Sequence, residues 1–450
     1  MQQSIYIQRY FHKKYLILIL LPLILLTLVL NSPGFIVPKL DAYSYPYQTS
    51  SAQVTQRKLE QDIAFYQNRV NLNPTDGLEL AALASTYLKK ARSSGWANWY
   101  LLAQQAAERS LLNLPVFNHG AVLVLAEIAA AQHNFTEAVN MANDILEYQP
   151  GNEAATSLLV TSLLAQGKLI EAQTLADSLA TKVPSSGTLS LQALLETDQG
   201  QDDIAETHFR SAIGLEEPGD AYASAWLRVQ YGKFKARYGK YTEATALYQE
   251  ALRIIPDFPL ALLSYADLNL KEGHFSKANN QFQKVLDHSE NSSTIFDHAA
   301  LQGLAQLAIL RAKDANPNWQ RAETILRKDV FSNAYGHRRE LARLLLSRGE
   351  GQDNKEALEL LESEMGNRQD EQTLELYAWA LYKTGNLAKA AEVIQTTLST
   401  GFNEAGLYYR AGLIEQALGD SETAQAYINQ VKTLNPDFNA ALWEKLELRN

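Results

Sequence analysis

Four arginines crowd one short stretch of this 450-residue chain: Arg338, Arg339, Arg343 and Arg348. Arg339 and Arg343 are spaced one helical turn apart, and Trp379, Tyr382 and Tyr409 follow downstream. Guanidinium forks beside aromatic rings suit peptide carboxylates or extended polar ligands, through paired hydrogen bonds and stacking. A structural use of the same residues stays open. Arg339 and Arg343 can pair with Glu340 or with the acidic residues of 356–364, and the rings can pack between helices.

Catalytic chemistry has no comparable foothold. The chain lacks H-E-x-x-H, a P-loop, G-x-S-x-G and a calcium loop. Gly349-Glu350-Gly351 reads as a solvated turn. The eight histidines are scattered; His288 and His298 are the closest pair outside the opening tail, and they have no acidic partners at metal-ligand spacing. With no cysteine, disulfides, thiolate zinc sites, cysteine nucleophiles and lipid attachment through an N-terminal cysteine are excluded. Fifty acidic residues against forty basic give a net charge of −10, the wrong sign for a nucleic-acid surface. No catalytic residue, metal ligand or cofactor is therefore expected. Asn134-Phe-Thr136 and Asn291-Ser-Ser293 fit the glycosylation sequon, which matters only in a eukaryotic secretory setting.

The N-terminus carries a different signal. Arg9, His12, Lys13 and Lys14 precede an uncharged apolar run from Tyr15 to Leu30, about 24 Å long as a helix. A cleaved signal peptide fits the basic start, but no A-x-A-like site follows, only Asn31-Ser-Pro-Gly-Phe35. A buried core helix is the third reading. We read residues 15–31 as a transmembrane anchor and residues 1–14 as a cytoplasmic tail; the basic flank then places the rest outside the cytoplasm. Residues 32–53, with Pro33, Pro38 and Pro46, read as an extended linker.

The elements that must position the arginines and rings announce themselves by a period. Pro150, Pro184 and Pro218 are 34 residues apart, as are Gly239 and Gly273, and Gly385 and Gly419. In 239–256 (GKYTEATALYQEALRIIP) Gly239 makes a turn, Tyr241 opens a helix, Ala244, Tyr248 and Ala251 follow at helical spacing, and Pro256 ends it. Corresponding residues recur as Ala266, Phe275, Ala278 and Phe282, as Gly412, Gly419, Ala424 and Pro436, as Ala378 and Ala390, and as Gly167 and Ala172. Small residues let antiparallel helices approach, an aromatic fills the space between pairs, and glycine and proline end helices. One pair cannot bury its apolar face alone, but stacked pairs can.

This pattern resembles the tetratricopeptide (TPR) repeat in length and in its small–small–aromatic–small–proline signature. The resemblance implies an all-α solenoid of about ten helix-turn-helix pairs over residues 54–450. It is clearest at 119–290 and 371–436, looser at 294–366 and loosest at 75–115. Residues 54–72 are expected to form an unpaired first helix and Phe438–Leu448 a terminal cap, with a break in the superhelix open at 219–224 or 291–293.

In that family the first helix of each pair lines a concave groove. Here that face carries Leu123, Glu127, Ser157, Thr161, Leu191, Leu195, Val229, Lys233, Leu263 and Asp267, which share no charge. The candidate partner-binding residues are therefore Arg339, Arg343, Trp379, Tyr382 and Tyr409, between 335 and 413. They do not reproduce the lysine–asparagine clamp of chaperone-docking members. Trp96 and Trp99 fit packing beneath a loop or the lipid interface. The copy at 239–256, whose signature residues all serve packing and turning, is expected to hold no site. The resemblance implies a non-enzymatic scaffold or adaptor for a protein or peptide partner, on the extracytoplasmic side, as in assembly of an envelope complex. A soluble periplasmic or secreted binder and a non-catalytic subunit of a membrane enzyme are the alternatives.

Overall fold

The computed structural model describes residues 43–47, 51–287, 293–332 and 336–447. The expected cytoplasmic tail, the anchor at 15–31, His288 and most of the second sequon lie outside these residues. Among the described residues no helix is long and apolar enough to cross a membrane. Residues Tyr43–Asn450 form one compact unit.

Twenty-two helices make up its regular structure among the described residues, with one isolated bridge between Trp96 and Thr294. Helix α1 (Ser51–Leu72) precedes ten antiparallel pairs. The first five are α2 (Gly77–Ser94) with α3 (Ala97–Asn113), α4 (His119–Ala131) with α5 (Phe135–Tyr148), α6 (Glu153–Ala165) with α7 (Leu169–Lys182), α8 (Ser186–Asp198) with α9 (Asp202–Gly214), and α10 (Ala221–Arg237) with α11 (Tyr241–Ile254). The next five are α12 (Pro259–Lys271) with α13 (Phe275–Leu286), α14 (Asp297–Leu310) with α15 (Asn316–Ser332), α16 (Arg338–Arg348) with α17 (Asp353–Glu364), α18 (Glu371–Lys383) with α19 (Leu387–Ser399), and α20 (Ala405–Leu418) with α21 (Ser421–Leu434). Helix α22 (Ala440–Glu447) closes the array.

Local chemistry explains where these helices start. Asp76, Asn118, Asn152, Ser185, Asp220, Asp370 and Asp420 each cap a helix by accepting backbone N–H bonds of its first turn. The small-against-aromatic spacing of the sequence is literal in the packing. Tyr248 is buried against Gly232, where a Cβ would lie 2.5 Å from the ring.

A second order of contact has no counterpart in the 34-residue pattern. The turn inside a pair in the N-terminal half meets the connection between pairs in the C-terminal half. Ile295 donates its N–H to Gly95 O at 2.9 Å, Gly336 to Gln132 O at 2.7 Å, and Gln369 to Ala165 O at 2.9 Å. Asn403 Nδ2 donates to Asp202 at 3.2 Å, and Asn435 Nδ2 to the Tyr241 hydroxyl at 3.1 Å. Each partner lies about 200 residues away, close to six periods. One superhelical turn therefore takes about six pairs, and the second turn stacks on the first along a seam. Gly200 and Gly401 meet there with positive φ, and a Cβ on Gly200 would sit 2.0 Å from Gly401 O.

Residues 43–47, expected to be spacer, are packed instead. They lie between α9 and α11 over α10, with Tyr43 and Tyr45 buried in the cores those helices form. The 219–224 stretch, where a break was an open reading, flanks this packed segment.

Candidate functional site

The arginine-rich helix α16 faces the seam. Arg339 is 9% exposed and donates to Asp370 at 3.2 Å, to Glu340 at 2.9 and 3.1 Å, and to the Thr373 hydroxyl at 3.5 Å. Arg338 lies 3.7 Å from Glu364, and Arg348 binds Glu323 and Asp353. Arg343 is exposed on the same helix. Arg339 thus meets Glu340, an acid its sequence context offered as an alternative, and Arg338 meets Glu364.

The aromatic candidates divide into two places. Trp379 is 2% exposed and stacks on Tyr382, with ring centres 4.7 Å apart and planes 17° apart. The Arg410 guanidinium lies 5.3 Å from Trp379 and 5.0 Å from Trp443, and it donates to Glu375 at 2.8 Å. Tyr409 is buried toward α22: its ring packs on Phe438 and Trp443, and its hydroxyl donates to Glu444. Trp379, Tyr382 and Arg410 therefore form one cluster, which Arg410 links through Trp443 to the terminal cap that holds Tyr409, while Arg339 joins the seam. Of the other tryptophans, Trp99 packs on Tyr87 and Trp96 pairs with Thr294 across the seam.

Spacing alone did not bring the histidines together, but the seam does. His337 stands 4.7 Å from His298 and 5.4 Å from His133, ring centre to ring centre. His337 Nδ1 contacts Asp329 at 3.0 Å, and His133 Nδ1 faces the Gly336 carbonyl at 3.3 Å. Burial pushes His133 down to about 4 and His298 to about 3, so both are neutral in the folded chain at pH 7. Arg339, with His133 and Arg368, holds Glu340 well below the usual carboxylate range despite its burial. Among the described residues no group of three or more His, Cys, Asp or Glu side chains is arranged to hold a metal ion.

Where α8 and α10 end above the start of α18, the balance reverses. Burial raises Asp198 to about 7, with Asp370 and Glu404 adding to the rise, and Glu371 to about 8, with Asp198 and Asp370 adding; Arg237 opposes both. Further along the inner face Lys233 and Asp267 remain exposed. Surrounding protein still desolvates the Lys233 ammonium and lowers its pKa, with Asp267 opposing the shift.

The most completely built polar site escaped the sequence reading. Arg228 is fully buried between Leu227 and Val229, donating to Glu216 at 2.5 and 3.0 Å. Glu216, Glu243 and Glu250 complete its walls with Lys235, which is 1% exposed and bound to Glu206 and Glu243. Two of these acids, Glu243 and Glu250, belong to the copy set aside as packing only. The available signal was an arginine embedded in an apolar face, and tyrosines at alternate positions 43, 45 and 47.

The family described as Tetratricopeptide repeat matches residues 405–438, which span α20, α21 and the turn after them. No curated protein matches the chain. The solved APC/C hetero-tetramer Cut9-Hcn1 is similar at 15% identity, TM-score 0.45, over 88% of this chain and 71% of that one. The human IFIT1 dimer with PPP-AAAA is similar at 15% identity, TM-score 0.45, over 85% of this chain and 89% of that one. The chain contains a tetratricopeptide repeat at 405–438 and is built throughout its described pairs as a TPR-like helical solenoid.

Proposed function

We propose that this chain is a non-enzymatic scaffold that holds a protein or peptide partner at a membrane. Residues 15–31 anchor it, and the repeat unit lies outside the cytoplasm. A TPR-like fold suits a protein–protein scaffold, because stacked pairs build a long surface from many small elements. The observation that carries the reading is the seam: two superhelical turns hydrogen-bonded to one another make a stiff body suited to holding partners in fixed register. The anchor rests on the apolar run after Arg9, His12, Lys13 and Lys14.

Cross-linking mass spectrometry on intact membranes tests both parts. The expected result is reproducible cross-links from repeat-unit lysines to one or a few extracytoplasmic proteins, with the chain resisting alkaline extraction. Release of a mature chain beginning after residue 30 would replace the anchored scaffold with a soluble binder. Turnover of a substrate by the purified single chain would overturn the non-enzymatic reading.

A further inference from the structure

Residues 43–47 are held as a ligand would be held. The segment belongs to no repeat, and the walls that grip it come from residues 206–253. Its main chain is read by charged side chains: Arg228 Nε donates to Tyr43 O at 2.8 Å, and Tyr45 N donates to Glu250 at 2.6 Å. Arg253 donates to Tyr45 O at 3.4 Å and pairs with Glu250 at 2.6 Å. Main-chain recognition of this kind is indifferent to sequence, so selectivity must come from the side chains.

All three tyrosines supply it. The Tyr43 hydroxyl donates to Glu243 at 2.9 Å, that of Tyr45 to Glu217 O at 3.1 Å, and that of Tyr47 to Glu216 O at 2.9 Å. Tyr43 meets Tyr231 edge-on with ring centres 5.7 Å apart, and Arg228 lies 5.8 Å from the Tyr45 ring. The walls are braced without the segment. Arg228 is tied to Glu216 and to Ser224 O, and Lys235 to Glu206 and Glu243. A receptor whose charged groups are paired among themselves keeps its charge balance when its occupant leaves, even though departure opens the cores around Tyr43 and Tyr45 and frees Arg228 Nε from Tyr43 O.

We propose that the groove between α9 and α11 is a peptide-binding site. Its ligand is an extended segment with tyrosines at alternate positions, supplied by a partner protein, and the chain's own residues 43–47 occupy it until that partner displaces them. This names a partner class for the scaffold and rests on that reading. It is scored on purified protein, so failure of the anchor alone leaves it standing.

The probe is a fluorescent peptide of the sequence DAYSYPYQT, residues 41–49. The receptor is the full chain in detergent, as wild type and as Tyr43→Ala/Tyr45→Ala. A tethered occupant competes at an effective concentration near millimolar, so the wild type should bind at least tenfold more weakly than the emptied variant. Adding Glu250→Gln to the emptied variant should weaken binding about fivefold or more. A peptide with phenylalanine at the three tyrosine positions should bind about tenfold more weakly, having lost three hydroxyl bonds. No binding by an emptied variant that keeps its helical melt would overturn the proposal. Should that variant fail to fold, the wild type decides: excess peptide should speed chymotryptic cleavage after Tyr43 and Tyr47 several-fold, the Tyr45–Pro46 bond being resistant. Cleavage unchanged by peptide would overturn the proposal. Dimerisation of the wild type that is reversed by Tyr45→Ala would also overturn it, by assigning the site to a second copy of this chain.

Discussion

The pairs α10–α11 and α18–α19 share one helix-turn-helix plan and use charge and aromaticity in opposite ways. In α10–α11 the signature residues pack (Ala244, Tyr248 and Ala251 are each at most 1% exposed), while Arg228, Glu243 and Glu250 meet a segment from outside the repeats. In α18–α19 the unusual residues are themselves packing: Trp379 is 2% exposed and is roofed by Tyr382 and Arg410. A copy that matches a repeat consensus well is therefore not a copy without a site. The consensus specifies only the faces that touch neighbouring helices, and the remaining positions are free to recognise something else.

The sharpest break of this comparison is Trp379→Ala. If Trp379 is core, the variant should lose about 3–5 kcal/mol of stability, the range for large aromatic truncations. Thermal unfolding followed by circular dichroism reads it. A melt within a degree or two of wild type would put Trp379 on a binding face and restore the contrast that the arginines and rings first suggested.

The seam offers the next effect, through pH. His298 is depressed to about 3 by burial, beside His337, Glu340, Asp329 and His133. Its folded pKa lies below the unfolded value of about 6.5, so the unfolded state binds the proton first as pH falls. The neutral ring's contribution is whole above about pH 6.5 and is lost downward through the window to about 3. His298→Gln should flatten the fall in stability between pH 6.5 and 4 by on the order of 3 kcal/mol. Denaturant midpoints at half-unit steps measure this, and parallel curves for both proteins would show that the histidine titrates freely in the fold.

Glu371 runs the other way. Burial and Asp198 raise it to about 8, so the folded state keeps a proton that the unfolded state releases above about 4.5. Its penalty grows as pH rises from 4.5 toward 8. Glu371→Gln should therefore stabilise the chain by about 1–3 kcal/mol at pH 7.5 and by little at pH 5. Equal effects at both pH values would mean that Glu371 is ionised and paired. Together these two variants separate two stations along the seam, one strained by acid and the other by base.

The ten pairs, the unpaired α1 and the closing α22 were legible because a 34-residue period of small and aromatic residues states helix packing directly. The seam was not legible. Its hydrogen bonds join backbone groups such as Gly336 N and Gln132 O, and any residue carries those. Residues 43–47 were misleading for a related reason. Pro33, Pro38 and Pro46 give the composition of a spacer, while the informative feature was the alternation of Tyr43, Tyr45 and Tyr47, a spacing that can turn several rings of a short segment to one face. The histidine cluster needed the seam before it could form at all, since His133 lies more than 160 residues before its partners.

The smallest expected effect, that of Arg343→Ala, discriminates among the arginines when set beside Arg339→Ala. Arg339 is buried among Glu340, Asp370 and Thr373, so Arg339→Ala leaves carboxylates without their counter-charge and should cost about 3–5 kcal/mol. Arg343 is one turn away but exposed, and Arg343→Ala should change stability by no more than about 0.5 kcal/mol. The two residues have the same type, the same helix and the spacing that first paired them. If both melts collapse, α16 is structural throughout. If Arg343→Ala leaves the melt intact yet removes a cross-linked partner, the inner face of α16 contributes to binding through that one arginine, and Arg339 serves by holding the helix in place.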